Sequence, residues 1–382
     1  MPRNVIKSSD ASGRVTIDDA YAAANIGRAS WLIDNLIAEL ELDLSGLAVF
    51  TEAASGPYLW SPLIAARAGA RAVYAVTRDS DFGAAGRIER DTMAAADVLG
   101  LAAPIKVVRE KRQPEIADSD IITNSGFVRP IDAVSIGWMK QTAVIPLMWE
   151  TWEFRADDLD LNACRQNGIL VMGTNEHEPP CNMTGYSGMS AIKLLFDLGL
   201  EVYRSRVIVL GGQATLAEAI VRCLTSVGCG TEWFSAVPGK GRPYEQFRAH
   251  FLAHGARYDA IIVAEHAEHR CLLGRNGLMS IADLAQVNPQ LRVGVMSGNV
   301  DADELAGSSL RHLPLRLRGP GYVSYPTGEL GPRPVMDLYA AGLKVGEAMA
   351  RARLKGLSLK HSAEEALQNS PAMDFEGAQA WL

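Results

Sequence analysis

Residues 205–234 read SRVIVLGGQATLAEAIVRCLTSVGCGTEWF. Val207 to Leu210 is an apolar run of strand length, Gly211-Gly212 permits a tight turn, and the apolar spacing from Leu216 to Val227 is that of a helix with one buried face. A second apolar run, Thr231 to Phe234, follows. Strand, turn, helix and strand in that order make a parallel unit, because a chain returning in the same direction needs a crossover.

The pattern continues on both sides. Downstream, a helix at Tyr244–Ala253, a strand at Ala260–Ala264, a helix at Ile281–Val287 and a strand at Val293–Met296 extend the same sheet. Upstream, a helical segment from Ile17 to about Leu42 leads into strands at Leu47–Thr51, Ala72–Thr77, Ile105–Arg109, Ser119–Thr123 and Thr142–Leu147. Helices at Pro62–Ala68, Ala84–Leu99 and Ile131–Lys140 separate them, which predicts a first doubly wound sheet of about five strands. A further short strand, Ile169–Gly173, runs into Thr174-Asn175-Glu176-His177-Glu178-Pro179-Pro180, where two prolines forbid helix. This loop is the expected domain junction. A long helix over Gly185–Gly199 then crosses to the second domain, and an amphipathic helix over Val335–Gly356 returns to the first. The expected domains are therefore 1–180 with 334–382, carrying substrate, and 181–333, binding dinucleotide, with a cleft between them.

Composition narrows the partners. A chain of 382 residues, 48% hydrophobic, is long enough for two cores. Its net charge of −7 and lack of a clustered basic face argue against nucleic acid and for a small-molecule substrate. Five scattered cysteines without a CxxC pair suit reduced thiols in the cytoplasm. No apolar stretch reaches the length of a membrane span or a signal peptide. The apolar and aromatic content of the crossover helix suits a homodimer.

The glycine turn is the first candidate site. A dinucleotide fingerprint uses glycines for the turn, for close approach of the pyrophosphate, and for packing helix on strand. Gly211, Gly212, Gln213, Ala214 and Thr215 occupy this place, with Ala214 and Ala217 standing for the second and third glycines if Gly212 is the first. Ser235 ends the next strand where NAD-binding chains carry an acid, and Lys240 and Arg242 follow it. That combination suits NADP, although Lys240 and Arg242 also fit a plain solvated loop; NADP or NAD is the expected cofactor.

The stretches DSDIITNSGFVRPIDAVSIGWMKQTAVIPL (118–147) and DLDLNACRQNGILVMGTNEHEP (158–179), the long helix, and SRVIVLGGQATLAEAIVRCLTSVGCGTEWF resemble, in order, the middle of the D-2-hydroxyacid dehydrogenases. VGVMSGNVDADEL (293–305) is also similar to adenosylhomocysteinase, and LAVFTEAASGPYLWSPLIAARAGARAVYAVTRD (47–79) to the first motif of a methyltransferase. The first resemblance implies two doubly wound Rossmann-like α/β domains, that of 1–180 with 334–382 flavodoxin-like, and an NAD(P)-dependent oxidoreductase acting on a small carboxylate or amino-acid-derived substrate. The second implies instead a hydrolase, lyase or cyclase that retains its dinucleotide, and the degenerate turn admits a binding protein without catalysis. The chain departs from the dehydrogenase pattern at its catalytic residues: Ser297, Gly298 and Asn299 stand where the arginine is expected, and Gly319-Pro320-Gly321-Tyr322 where the histidine is.

Other groups must then supply the chemistry. His177, between Glu176 and Glu178, sits in the proline-bounded loop at a strand end, where flanking carboxylates favour an imidazolium suited to acid/base work. A polar hinge is the alternative. His266, in Glu265-His266-Ala267-Glu268-His269, ends another strand and is the second acid/base candidate, although the start of a surface helix is the favoured reading of these residues. His266 and His269 alone make too small a set for a metal, and none is expected. Asn124, Ser125, Gly126 and Arg129 follow a strand where the dehydrogenases contact a substrate carboxylate, and Asn175 and Glu178 complete the expected substrate set. For the methyltransferase-like motif, the cofactor residues would be Glu52 and Ser55-Gly56.

Overall fold

The apolar runs at 48–52, 170–174, 207–210, 260–264 and 293–297 become short strands buried on both sides, the usual condition of a parallel sheet covered by helices. The computed structural model describes residues 19–101, 103–212 and 214–375. The chain divides into two units, residues 1–181 with 335–382 and residues 182–334.

In the first unit, α1 (Asp19–Glu39) precedes β1 (Ala48–Glu52), α2 (Ser61–Arg67), β2 (Ala72–Val76), α3 (Ala85–Val98) and β3 (Ile105–Val108). Then come α4 (Gln113–Asp118), β4 (Ile121–Ile122), α5 (Ala133–Gly137), β5 (Val144–Pro146), α6 (Leu161–Asn167) and β6 (Leu170–Thr174). The expected helix start at Ile17 lies outside the described residues. On α1, Leu32 and Leu36 are buried, whereas Trp31, expected on the packed face, is exposed.

The second unit opens with α7 (Met183–Asp197) and continues through β7 (Arg206–Leu210), α8 (Ala214–Ser226), β8 (Gly230–Ser235), β9 (Arg242–Pro243), α9 (Phe247–His254) and β10 (Ala260–Ala264). It closes with β11 (Cys271–Leu273), α10 (Ile281–Val287), β12 (Arg292–Ser297), β13 (Asn299–Val300), α11 (Ala302–Ala306) and β14 (Arg311–Leu313). The chain then re-enters the first unit along α12 (Arg333–Leu354), and α13 (Leu359–Asn369) and β15 (Ala372–Met373) follow.

The first sheet runs β3-β2-β1-β4-β5-β6-β15, parallel except for β15, so it has seven strands where about five were expected. The second runs β9-β8-β7-β10-β12-β14, all parallel. Both sheets place their first and fourth strands side by side, so the connections leave in opposite directions from that seam. This is the doubly wound Rossmann order in both units, so the first is not flavodoxin-like as expected: its third strand lies outside β2 instead of beside β1. The crevice at the carboxyl ends of the two seam strands is where such sheets bind ligands. Alternation of side chains feeds both faces of the second sheet. Ile208, Leu210, Ile261 and Val263 join one core, while Val207, Val209, Ala260 and Ile262 join the other.

Candidate functional site

In the second unit the seam lies between β7 and β10. Gly211 follows β7 in so tight a space that a methyl there would lie 2.5 Å from the Ala264 carbonyl oxygen and 2.8 Å from the Ala217 Cβ. The Trp233 indole donates to the Gly211 carbonyl at 2.7 Å, fixing the turn against β8. Gly212 meets Glu265, the residue just beyond β10: a methyl would stand 3.1 Å from its Cδ, 3.3 Å from Oε1, and overlap Oε2. Ala214 and Thr215 begin α8, while Gln213 lies outside the described residues.

Glu265 is buried and held by three donors. The backbone N–H groups of Ala267 and Glu268 reach Oε1 at 3.1 Å, and the Tyr244 hydroxyl donates to Oε2 at 2.8 Å. Burial, and then the neighbouring Glu265 charge, push the Tyr244 hydroxyl far above its usual range, so it remains a donor.

The other expected cofactor residues share this carboxyl edge. Ser235 ends β8, buried, and its hydroxyl accepts the Val237 N–H at 2.9 Å. Ser297 ends β12, and its carbonyl accepts the Glu265 N–H at 3.2 Å. Gly298 has φ +116°, and a side chain there would meet the Glu265 carbonyl at 3.0 Å. Asn299 donates to the His269 carbonyl at 2.9 Å. Lys240 pairs with Glu218 at 2.8 Å and Arg242 with Glu232 at 3.3 Å, so both cations are met by carboxylates of their own unit.

His266 corrects an expectation. Residues 265–270 form turns, not a helix, and His266 is buried. The Glu265 side chain accepts the amides of Ala267 and Glu268, the contact of a helix N-cap, but the chain runs on through bends to β11 and no helix follows.

In the first unit the seam lies between β1 and β4. Glu52 ends β1, buried, and accepts hydrogen bonds from the Tyr339 hydroxyl on α12 and, at 2.9 Å, from the Phe127 N–H. Burial raises its carboxyl above the ordinary range despite these donors and the nearby charges of Arg129 and Arg78. Both oxygens of Glu52 are thus engaged within the unit, unlike the open cofactor ligand that the methyltransferase-like motif implies. Across the seam, Thr51, Ser61, Thr123 and Ser125 link their buried hydroxyls at 2.6–2.9 Å.

The expected substrate residues follow β4. Asn124 accepts the Met148 N–H at 2.7 Å, and Gly126 lies so near Glu52 that a methyl would meet Oε2 at 3.1 Å. Arg129 lies over the Trp149 ring, 4.7 Å from its centroid, and pairs with Asp158 at 2.8 Å. Its charge therefore has an internal partner. The loop after β6 holds Asn175, Glu176, His177 and Glu178. Asn175 accepts the His177 N–H at 3.0 Å, and the half-exposed imidazole lies 3.7 Å by Nε2 from Oε1 of Glu150. Glu150 is buried beyond β5 and also accepts from the Trp152 indole at 2.6 Å and the Glu176 N–H at 3.2 Å. The carboxyl group of Glu176 is pushed well up by burial and by Glu153 and Glu150. A carboxylate beside His177 in space is therefore Glu150, 27 residues earlier, which sequence alone does not single out.

Among the described residues no group of three or more His, Cys, Asp or Glu side chains is arranged to hold a metal ion, and no helix is long and apolar enough to cross a membrane.

Neither a protein-family model nor a curated protein sequence matches the chain. Solved structures do. Dipicolinate synthase, A chain, from Bacillus subtilis is 12% identical, with 82% of this chain and 99% of that one aligned at a TM-score of 0.49. A 2-hydroxyacid dehydrogenase from Ketogulonicigenium vulgare Y25 aligns over 82% and 96% at 12% identity and a TM-score of 0.45. D-lactate dehydrogenase with NAD+ from Lactobacillus jensenii aligns over 80% and 97% at 12% identity and a TM-score of 0.42. These are likenesses of fold.

Proposed function

We propose that the chain is an NAD(P)-dependent oxidoreductase acting on a small carboxylate or amino-acid-derived substrate, with the dinucleotide on residues 182–334 and the substrate on the first unit. The carrying observation is the Gly211-Gly212 turn, which joins β7 to α8 at the seam of a Rossmann-ordered sheet. The first amides of a helix lack partners within it and attract anions. A dinucleotide fits this edge: the pyrophosphate belongs over Gly211 to Thr215, and Ser235 sets no carboxylate against either a ribose diol or a 2′-phosphate, so NADP and NAD are both admitted. Ser297, Gly298 and Asn299 flank the far end. Bound there, the dinucleotide would supply hydride chemistry.

For the chain's own residues, His177 is the proposed proton-handling group, oriented by Glu150, with Glu176 beside it; His266, being buried, is the weaker candidate. Asn124, Ser125, Gly126, Asn175 and Glu178 are the proposed substrate contacts, with Arg129 contributing only if it leaves Asp158. Met189 and Phe196, exposed on α7, support a homodimer.

The test is a screen of 2-hydroxy and amino acids with NAD+ and NADP+, following the reduced nicotinamide band. With an active substrate, His177→Ala should lose about a hundredfold or more in turnover while its melting temperature holds, as for a lost acid/base group on an exposed loop. Full activity in that variant removes His177 from the chemistry.

A further inference from the structure

We infer that Glu265 makes dinucleotide binding at the Gly211-Gly212 turn weak and reversible, so that the nicotinamide dinucleotide is an exchanging co-substrate and not a resident group. This rests on the reading of the second unit given above, and decides between a dehydrogenase that releases its carrier and an enzyme that retains it.

The geometry is specific. Glu265 follows β10, the strand adjoining β7 at the seam, and its side chain is packed on Gly212, the residue a pyrophosphate would have to approach. Its three partners are all donors: two backbone N–H groups on Oε1 and the Tyr244 hydroxyl on Oε2. The two backbone N–H groups can only donate, an arrangement that suits a carboxylate. The fully buried carboxylate is poorly screened by solvent. It therefore opposes a second anion at the same turn. Of the basic groups of this unit, Lys240 pairs with Glu218, Arg242 with Glu232, and Arg270, stacked on the Tyr244 ring, with Glu268.

The opposing charge acts on phosphate, not on the nucleoside, and this gives the test its control. The full-length protein is titrated calorimetrically with NAD+, ADP and adenosine, as wild type, as Glu265→Gln and as Glu265→Ser. Gln keeps an acceptor for the two amides; Ser removes the carboxylate and opens the space over Gly212. Expected results are a wild type that purifies without dinucleotide and loses added NAD+ on gel filtration, and variants that bind NAD+ and ADP about tenfold tighter, with adenosine unchanged. A wild type that purifies with stoichiometric dinucleotide overturns the inference whatever the variants do. So does unchanged or weaker NAD+ affinity in either folded variant. If neither wild type nor variants bind NAD+ or ADP, the dinucleotide reading itself falls, and the inference with it.

Discussion

Gly212 and Glu265 constrain each other. Space for the carboxylate exists because residue 212 has no side chain, and the carboxylate in turn stands where any Cβ would go. Gly212→Ala should therefore destabilise the fold by about 1–3 kcal/mol, the usual cost of overpacking a filled site. In a Glu265→Ala background the same substitution should cost well under half as much, because the overlapping atoms are gone. Urea unfolding of the two single variants and the double variant measures this coupling, and strictly additive effects would mean that the two residues do not touch. Half of this pair was legible beforehand. The glycine turn shows in the sequence as a break between a strand and a helix, but Glu265 lies 53 positions later and nothing local says that it folds back onto the turn. Tyr339 is hidden in the same way, 287 residues from the Glu52 carboxyl it donates to.

At the scale of elements, the strands whose apolar runs are continuous were the readable ones. The expected spans Ala260–Ala264 and Ile281–Val287 match β10 and α10 to the residue. The short elements were not. Pairing at β4 covers two residues where Ser119–Thr123 was expected, because Ser119 binds back to the Glu115 carbonyl at 2.7 Å and belongs to the end of α4. Strand β15, another two-residue element, has no pattern that could announce it, and it pairs antiparallel with Gly173 and Thr174. Loops that end β5 and β6 gather Glu150, Glu153 and Glu176, far enough apart in sequence that their convergence was not read either. Crowding has a thermodynamic consequence. With its folded-state affinity for protons raised, Glu176 binds more protons folded than unfolded above the ordinary glutamate range of about 4.3. The linkage slope is then negative: stability is fully present below the unfolded value and is lost as pH rises through the folded one. Glu176→Gln should match the wild type near the ordinary range and become progressively the more stable protein as pH rises toward 8. Melting temperatures across that window check it, and a gap that narrows with rising pH would contradict the assignment. Glu115, Asp118 and Asp132 have lowered values and contribute with the opposite sign, but they are common to both proteins and cancel in the difference.

The whole molecule repeats one plan twice, and the repetition explains why several functions could be read into one chain. Each sheet has a seam, and each seam ends in a glycine-containing turn beside a buried glutamate: Glu52 near Gly126 in the first unit, Glu265 against Gly212 in the second. A nucleotide-like motif was therefore legible in both halves, as a methyltransferase-like signature and as a degenerate dinucleotide fingerprint. Their surroundings separate them. Tyr339 and the Phe127 amide close off Glu52 inside its unit, whereas α8 starts at Ala214, two residues after Gly212, and the first amides of a helix have no partner within it. Saturating NAD+ should accordingly slow amide hydrogen exchange in peptides covering residues 207–220, 260–270 and 293–300, and leave those covering 48–60 and 119–130 unchanged. The energy available for protection follows mass action, about 2.7 kcal/mol at a ligand concentration 100 times the dissociation constant, which is ample to detect even for a weakly held co-substrate. Protection confined to 48–60 and 119–130 would transfer the nucleotide to the first unit and leave the glycine turn of the second as a purely structural feature.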